Sequence, residues 1–412
     1  MGMQLDDILR RIDDSRDDIV KDVSKLISIP AIGPTSGGDG ESARADWIEG
    51  YLKGLDCFDS IERMDIPHGN IIRSNVIAIK KGKIDRTVWI VAHMDTVHPG
   101  DLSLWRHPPF EAYVEDDRIY GLGAEDNGQG LMAALYSVKY IGRAELQGYS
   151  IGLAFVADEE TGSGYGIGYL LDKGIFGKDD LILVPDWGSP KGEMIDISEK
   201  HILWMRFTVI GRQTHGSTPD KGLNAFRIGA AFLTDLVTRL YDEFDVSDPL
   251  FRPPRSTFEP TRRSETTDNI NIIPWKDEFW MDCRILPGYD LDEIISFVNN
   301  VMKEHSDRTG ADISMEIVQR SASGPSSSTG TQEYETLKKS ISDVTGKTVK
   351  EVGIGGGTCA NFFRKKGMNA YAWSSEGGSL HKPNEFVLIG NIITDAKVLI
   401  TLFNRLCIIS NY

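Results

Sequence analysis

The stretch Thr87-Val-Trp-Ile-Val-Ala92 is an uninterrupted run of aliphatic, aromatic and β-branched residues. Two further runs, Ile151–Val156 and Leu181–Val184, have the same character. Each is too short for a typical helix and lacks the polar alternation of a half-exposed strand, which favours strands buried on both faces of a parallel sheet. The apolar spacing in Leu131–Ile141 predicts a helix between the first two runs. This order of strand, helix and strand indicates an α/β fold.

Other parts of the chain have different patterns. Residues 5–27 place apolar residues at three- and four-residue spacing, which predicts an amphipathic helix. After residue 200, the aromatic and β-branched stretch His201–Ile210 is followed by helical spacing at 224–241, which indicates an α+β insertion. The Ser- and Gly-rich segment Ser321–Gly330 predicts a hinge. We therefore predict a catalytic domain formed by residues 1–199 and 319–412, interrupted by a smaller domain at 200–318.

The composition restricts the class of protein. The 45 Lys and Arg residues and 61 Asp and Glu residues give a net charge of −16, which argues against binding of nucleic acid or of an anionic membrane surface. The four cysteines form no CxxC motif or other close pair, as expected for a protein of the reducing cytoplasm. Apolar runs all fall well short of the ~20 residues that span a bilayer. We expect a cytoplasmic protein that binds neither nucleic acid nor a membrane.

Polar side chains directly follow each of the three apolar runs. His93 and Asp95 follow the first, Glu159 and Glu160 the second, and Asp186 the third. The carboxyl ends of strands in an open α/β sheet form one ligand-binding edge. So many acidic groups at one edge require a cation among them.

Asp126, just before the predicted helix, and His381, in a Gly-rich stretch, complete this set of candidates. Each candidate taken singly also fits a structural role. Asp126 is typical of a helix N-cap, the two glutamates are typical of a solvated turn, and each histidine is typical of a hydrogen-bonded structural residue. Together, two imidazoles and several carboxylates suit zinc or a neighbouring transition metal, with Asp126 bridging two sites. Asp95 lies two residues after His93 on the same side of an extended strand, where it can accept the imidazole N–H.

The order and spacing of six segments resemble the dizinc exopeptidase and deacylase family, the peptidase M20 type. That family includes acetylornithine deacetylase, succinyl-diaminopimelate desuccinylase, aminoacylase and glutamate carboxypeptidase. The match covers essentially the whole chain. One local departure is Asn127, where many members have a basic or Met-Lys pair after the bridging aspartate. The segments are Val91–Gly100, Gly121–Gly130, Val156–Ser163, Gly211–Pro219, Asn271–Pro274 and His381.

The resemblance implies a fold and a set of roles. The fold is a catalytic domain with a mixed, largely parallel central sheet flanked by helices, plus an inserted α+β lid that forms a homodimer. It implies two Zn²⁺ per subunit, with Co²⁺ or Mn²⁺ possible, Glu159 as general base, and a cis peptide bond between Asp126 and Asn127. His215 and Asn271 match positions that reach the substrate, and Arg284 matches an arginine that contacts its carboxylate. The implied metal ligands are His93, Asp126, Glu160, Asp186 and His381, with Asp126 shared.

The stretch Gly353–Thr358 carries bare backbone N–H groups, so Gly356 and Thr358 are candidates for holding a substrate carboxylate, although a tight structural turn fits the same residues. The expected function is metal-dependent hydrolysis of an amide bond in a small N-acyl amino acid or a short peptide. A dipeptidase or carboxypeptidase of the same family is the alternative. A non-catalytic metal- or peptide-binding relative is disfavoured by the intact Glu159. A nicotinamide-dependent oxidoreductase is disfavoured because Gly121-Leu-Gly123 lacks the third glycine of the dinucleotide fingerprint.

Overall fold

The computed structural model describes residues 4–265 and 267–409. These residues form two compact units. The larger unit contains the described residues up to Ile197, together with Ser326–Val352 and those from Thr358 onward. The smaller unit contains Ser198–Pro325 and Gly353–Gly357. Among the described helices, none is both long and apolar enough to cross a membrane.

Helices and strands both occur throughout the described chain. The helices are α1 (Leu5–Asp13), α2 (Arg16–Ile27), α3 (Ser42–Leu55), α4 (Gly128–Val138), α5 (Ile167–Asp172), α6 (Ala225–Glu243), α7 (Leu291–Thr309), α8 (Gln332–Thr345), α9 (Ala360–Lys365) and α10 (Ile389–Phe403). The strands are β1 (Ser60–His68), β2 (Ile71–Lys80), β3 (Ile84–His93), β4 (Tyr113–Glu115), β5 (Arg118–Tyr120), β6 (Tyr149–Val156), β7 (Leu181–Val184), β8 (Met194–Glu199), β9 (His201–Ile210), β10 (Thr214–His215), β11 (Thr257–Arg263), β12 (Ile272–Ile273), β13 (Lys276–Ile285), β14 (Asp312–Ser321), β15 (Lys350–Ile354), β16 (Ala370–Ala372) and β17 (Phe386–Leu388).

The larger unit is built on an eight-stranded sheet in the order β1-β2-β6-β3-β7-β16-β8-β15. The central strands β6, β3, β7 and β16 run parallel to one another. β1 and β2 pair antiparallel with their neighbours, and β8 pairs antiparallel with β16. The three apolar runs of the sequence lie in β3, β6 and β7, and the predicted mixed, largely parallel α/β sheet is confirmed.

The register of this sheet brings the polar residues together. His93, the last residue of β3, pairs with Val156, the last residue of β6. β7 pairs with β3 on its other side, with Ile90 opposite Leu183. These three strands therefore end at the same edge, and the side chains that follow them share one rim.

The smaller unit contains a four-stranded antiparallel sheet in the order β11-β13-β9-β14. β13 alternates buried and half-exposed residues along its length, as expected for a strand with one face in a core. That core includes Phe207, Phe232 and Phe279, whose rings pack against one another, together with apolar residues of α6 and α7.

The boundaries of the two units differ from the predicted limits of 200 and 318. Residue 318 lies inside β14, which is hydrogen-bonded to β9, so the chain leaves the smaller unit only after Pro325. Gly353–Gly357, predicted to belong to the catalytic domain, falls in the smaller unit. It does so because Arg284 Nη1 donates to the carbonyl of Gly355 at 2.8 Å, and Gly353 N donates to that of Leu250 at 2.8 Å.

The predicted helix over residues 5–27 is two helices, α1 and α2, separated at Asp14 and Ser15. The Ser15 hydroxyl lies 2.7 Å from the carbonyl oxygen of Arg11 and 2.6 Å from the hydroxyl of Tyr140. A serine that bonds to the carbonyl four residues earlier competes with the helical ladder and bends the chain. The apolar spacing continues through the break, which is why the sequence pattern does not reveal it.

Candidate metal centre

His93 lies at the end of β3, buried at the rim of the sheet. Its Nδ1 atom is 3.0 Å from the backbone oxygen of Asp95 and 3.4 Å from Oδ1 of the same residue. The imidazole N–H therefore faces the carbonyl more closely than the predicted carboxylate. This contact directs the other ring nitrogen, Nε2, towards the rim.

Asp126 joins two histidines. Its Oδ1 is 2.9 Å from Nε2 of His93, and its Oδ2 is 2.9 Å from Nε2 of His381. Asp126 lies before α4, whose N-cap position is Asn127, so Asp126 does not cap the helix. The peptide bond between these two residues is cis, as the family resemblance implies. One carboxylate thus faces two nitrogen ligands.

Each histidine has a second carboxylate partner. Asp186 Oδ1 is 3.2 Å from Nε2 of His93. Glu160 has both carboxylate oxygens at 3.2 Å from Nε2 of His381. The structure therefore brings all five predicted ligands together as two half-sites that share Asp126, with His93 and Asp186 in one and His381 and Glu160 in the other.

The donor atoms fit a metal. Ligand atoms of His93, Asp126 and Glu160 lie within 4.8 Å of one another, and the same holds for His93, Glu159 and Asp186. Imidazole nitrogens with carboxylate oxygens form the ligand set of zinc and of neighbouring transition metals. The group of His93, Glu159 and Asp186 also places the Glu159 carboxylate where it can contact a metal directly.

The charges around the two imidazoles also indicate a site for a cation. Hydrogen bonds to Asp126 and Glu160 raise the pKa of His381 to about 11. Burial lowers the pKa of His93, but the neighbouring Asp186 and the hydrogen bond to Asp126 outweigh it, and the net shift is upward. The carboxylates around the two rings therefore favour positive charge at this rim, which is where a cation is stabilised.

Glu159 follows β6 on a single 3-10 turn, Glu159–Thr161. Burial raises the pKa of its carboxyl well above the usual range, and the nearby Asp186 adds to the increase. Its backbone N–H donates to Asp95 Oδ1 at 3.0 Å, and that of Glu160 donates to Asp95 Oδ2 at 3.1 Å. Asp95 thus holds the turn that carries both glutamates.

Sequence reasoning missed several residues that support the centre. Asn127 donates from its side-chain nitrogen to Asp186 Oδ1 at 2.7 Å and to the carbonyl of Pro185 at 2.7 Å. The buried Arg73 pairs with Glu41 and, at 3.0 Å, with Asp158, which precedes Glu159. The available signal was Arg73 in the predominantly apolar segment Ile71–Lys80, because a charge buried in a strand requires a partner.

The remaining predicted residues divide between the units. His215, Asn271, Arg284 and Gly356 lie in the smaller unit, and Thr358 lies buried in the larger one. Pairing of β10 with β12 places His215 opposite Ile272, next to Asn271. His215 is exposed, and its Nδ1 lies 2.7 Å from the Ser217 hydroxyl. Their approach to a substrate stays a prediction.

An α/β sheet with imidazoles and carboxylates gathered at the carboxyl edge of its strands defines a metal-binding enzyme centre. The sequence pattern of peptidase family M20/M25/M40 matches residues 89–405, and the chain belongs to this family. It is therefore a metal-dependent hydrolase of amide or peptide bonds.

Three similar proteins illustrate this membership. An uncharacterized metallohydrolase of Methanocaldococcus jannaschii is 39% identical over 402 residues, covering 93% of this chain and 98% of that protein. A succinyl-diaminopimelate desuccinylase of Alkalilimnicola ehrlichii is 27% identical over 362 residues, covering 86% of this chain and 90% of that protein. The fold of a tripeptidase from Staphylococcus aureus matches with a TM-score of 0.74 at 16% identity, covering 95% of this chain and 98% of that one.

Proposed function

We propose that this enzyme is a dinuclear zinc deacylase that removes the acyl group from a small N-acyl amino acid. His93, Asp126 and Asp186 would hold one metal, and Asp126, Glu160 and His381 would hold the other. Co²⁺ and Mn²⁺ suit the same mixed ligand set. The observation that carries the proposal is the position of Asp126. Its Oδ1 lies 2.9 Å from Nε2 of His93, and its Oδ2 lies 2.9 Å from Nε2 of His381.

Bound metal ions supply a Lewis acid and lower the pKa of a coordinated water. Glu159 accepts a proton from the water that attacks the amide carbonyl and returns it to the leaving amine. Its buried position favours this exchange, because burial raises the pKa of its carboxyl. Asp95 keeps the Glu159 carboxylate in place through the backbone of the turn.

We assign the substrate contacts to five residues. Arg284 binds the substrate carboxylate, since its guanidinium is already oriented by Asp282, with Nε 2.7 Å from Oδ1. Gly356 and Thr358 remain the further candidates for holding a substrate carboxylate. His215 and Asn271 are assigned to the substrate because they match positions that reach it in the family.

The choice of an N-acyl amino acid is supported by relatives named succinyl-diaminopimelate desuccinylase. The test is a hydrolysis panel of N-acetyl amino acids, N-succinyl amino acids and dipeptides, with kcat/KM measured on zinc-loaded protein. We expect the acylated amino acids to be the better substrates. Higher values for dipeptides would favour the dipeptidase alternative, and the absence of turnover on every member would contradict the deacylase.

The metal assignment is tested by analysing the metal content of the wild type and of Asp126→Ala. The substitution removes the carboxylate that neutralises both cations, so we expect two metals per chain in the wild type and the loss of at least one, with activity, in the variant. Two tightly held metals in Asp126→Ala would rule out the bridging role.

We further propose a cytoplasmic homodimer formed through the smaller unit. β14 lies at the edge of its sheet and exposes Ile317 and Val318, which a partner sheet would cover. The four cysteines are free and buried, which suits a reducing compartment. Analytical ultracentrifugation is expected to give a dimer, and Val318→Lys to shift it towards a monomer.

A further inference from the structure

Two loops of the larger unit carry the residues that meet at the shared carboxylate. One loop, Gly121–Asp126, ends in Asp126, and the other, Gly377–Glu385, contains His381. His381 has a left-handed backbone conformation with φ 56°, which is uncommon for a residue other than glycine. Such a conformation persists where the surroundings determine it.

Glu385, at the end of the second loop, holds the first. Its carboxylate is buried and accepts three backbone N–H groups, from Gly123 at 2.9 Å, Glu125 at 2.8 Å and Asp126 at 2.9 Å. The backbone oxygen of Glu385 also accepts the N–H of Gly121 at 2.9 Å. The backbone of Asp126 is therefore fixed by a side chain that lies four residues beyond His381.

Glu125, at the end of the first loop, holds the second in the same way. Its buried carboxylate accepts the backbone N–H groups of Gly377, Gly378 and Ser379, the last two at 3.0 and 2.6 Å, and also the Ser379 hydroxyl. The loop before His381 is therefore fixed by the residue next to Asp126.

The two carboxylates form a reciprocal clasp, which we define as Glu125 and Glu385 with the backbone amides that they accept. Glu125 directly precedes Asp126, Glu385 lies four residues after His381, and the side chain of each accepts backbone amides of the opposite loop. The spacing between Asp126 and His381 is thus set by groups outside the ligand set. Residues that orient metal ligands in this way change metal affinity by about 10- to 100-fold.

We propose that the clasp positions Asp126 and His381 for the metal held by Asp126, Glu160 and His381, and so sets the affinity of that half-site. This rests on the dinuclear centre of the proposed function. The other half-site shares Asp126, but its remaining ligands, His93 and Asp186, lie at the end of β3 and after β7, which the sheet itself holds in register. It therefore depends less on the clasp.

The test is a Zn²⁺ titration of metal-free, full-length protein, followed by calorimetry with a competing chelator. Glu125→Gln keeps the size of the side chain but turns one acceptor into an N–H donor that faces the amides of the second loop. We expect one of two binding steps to weaken by about 10- to 100-fold and the other to change by less than about threefold. In a His381→Ala background, which lacks the affected half-site, Glu125→Gln should leave the remaining affinity unchanged.

Asp180→Asn is the matched control. Asp180 also accepts backbone N–H groups, those of Thr87 and Gly177, at the opposite edge of the sheet, so its loss should alter stability without altering either binding step. If Glu125→Gln does not fold, Ser379→Ala should weaken the same step by a smaller factor, since it removes the hydroxyl that bonds to Glu125 and that accepts the Phe386 N–H at 3.0 Å, but leaves the backbone amides of the loop in place.

The outcomes separate the two proposals. A single Zn²⁺ in the wild type would contradict the dinuclear function, whatever the clasp does. If the wild type binds two Zn²⁺ and folded Glu125→Gln gives the same titration, the clasp is overturned. If Glu125→Gln does not fold, an unchanged titration of Ser379→Ala overturns it instead. Equal weakening of both steps would also overturn it, because the glutamate would then support the fold in general.

Discussion

The carboxylate of Asp95 accepts the backbone N–H of Glu159, with Oδ1 3.0 Å from that nitrogen. Asp95 also lies beside the ring of His93, so it links the end of β3 to the turn after β6. Its side chain therefore positions the proposed general base and not only a metal ligand.

Asp95→Asn should lower kcat by about 10- to 100-fold, the range usual for a residue that orients a catalytic or metal-binding group. The asparagine has one acceptor where the aspartate has two, so the N–H of Glu159 or of Glu160 loses its partner. Metal content should stay close to that of the wild type, because the backbone oxygen of Asp95 still faces His93 Nδ1 at 3.0 Å. Activity within twofold of the wild type, with metals bound, would contradict this role.

Glu159→Gln should lower kcat by about 10²- to 10⁴-fold, since the change keeps the shape of the side chain but removes the proton acceptor. Metal analysis of the purified variant should find the same content as in the wild type. Loss of both metals would instead identify Glu159 as a ligand. Its carboxylate is close enough for that role, because it lies within 4.8 Å of the ligand atoms of His93 and Asp186.

His215→Ala should lower kcat by about 10²- to 10³-fold if its imidazole donates to the oxyanion that forms on the substrate. Whether the residue acts across a dimer is decided by mixing His215→Ala with Glu159→Gln and exchanging subunits. Part of the activity should return, because one site of the mixed dimer then has both residues intact. No recovery after proven exchange would place the action of His215 within its own chain or remove its catalytic role.

The buried Asp395 should make stability depend on pH. Burial raises the pKa of its carboxyl to about 7, although hydrogen bonds from Ser375 and Gln129 oppose the shift. The unfolded carboxyl ionises near pH ~4. Between these values the folded chain keeps a proton that the unfolded chain has lost, so the free energy of unfolding falls as pH rises, by at most about 1.4 kcal/mol per pH unit.

Urea unfolding of metal-free protein at two pH values, near the lower and upper ends of this window, tests the effect. The wild type should lose more stability than Asp395→Asn as the pH rises, because asparagine does not titrate. Asp343→Asn, at a half-exposed ion pair with Arg405, is the control and should follow the wild type. Parallel curves for the wild type and Asp395→Asn would contradict the prediction.

Much of the fold was predictable because its information is local. Short apolar runs without polar alternation identified β3, β6 and β7, and the polar residues that follow them were expected at one edge because parallel strands end together. The positions of β14 and of Gly353–Gly357 were not predictable, since hydrogen bonding to distant strands assigns them to the smaller unit.

The sequence alone determined which groups are available for chemistry: the imidazoles, the carboxylates and their order along the chain. Only the tertiary structure decided that Asp95 holds the backbone of the Glu159 turn, and that Glu125 and Glu385, 260 residues apart, hold each other's loops. The physical reason is that a spacing pattern reports which face of one element is buried, whereas contacts between distant loops depend on strand order, register and loop geometry.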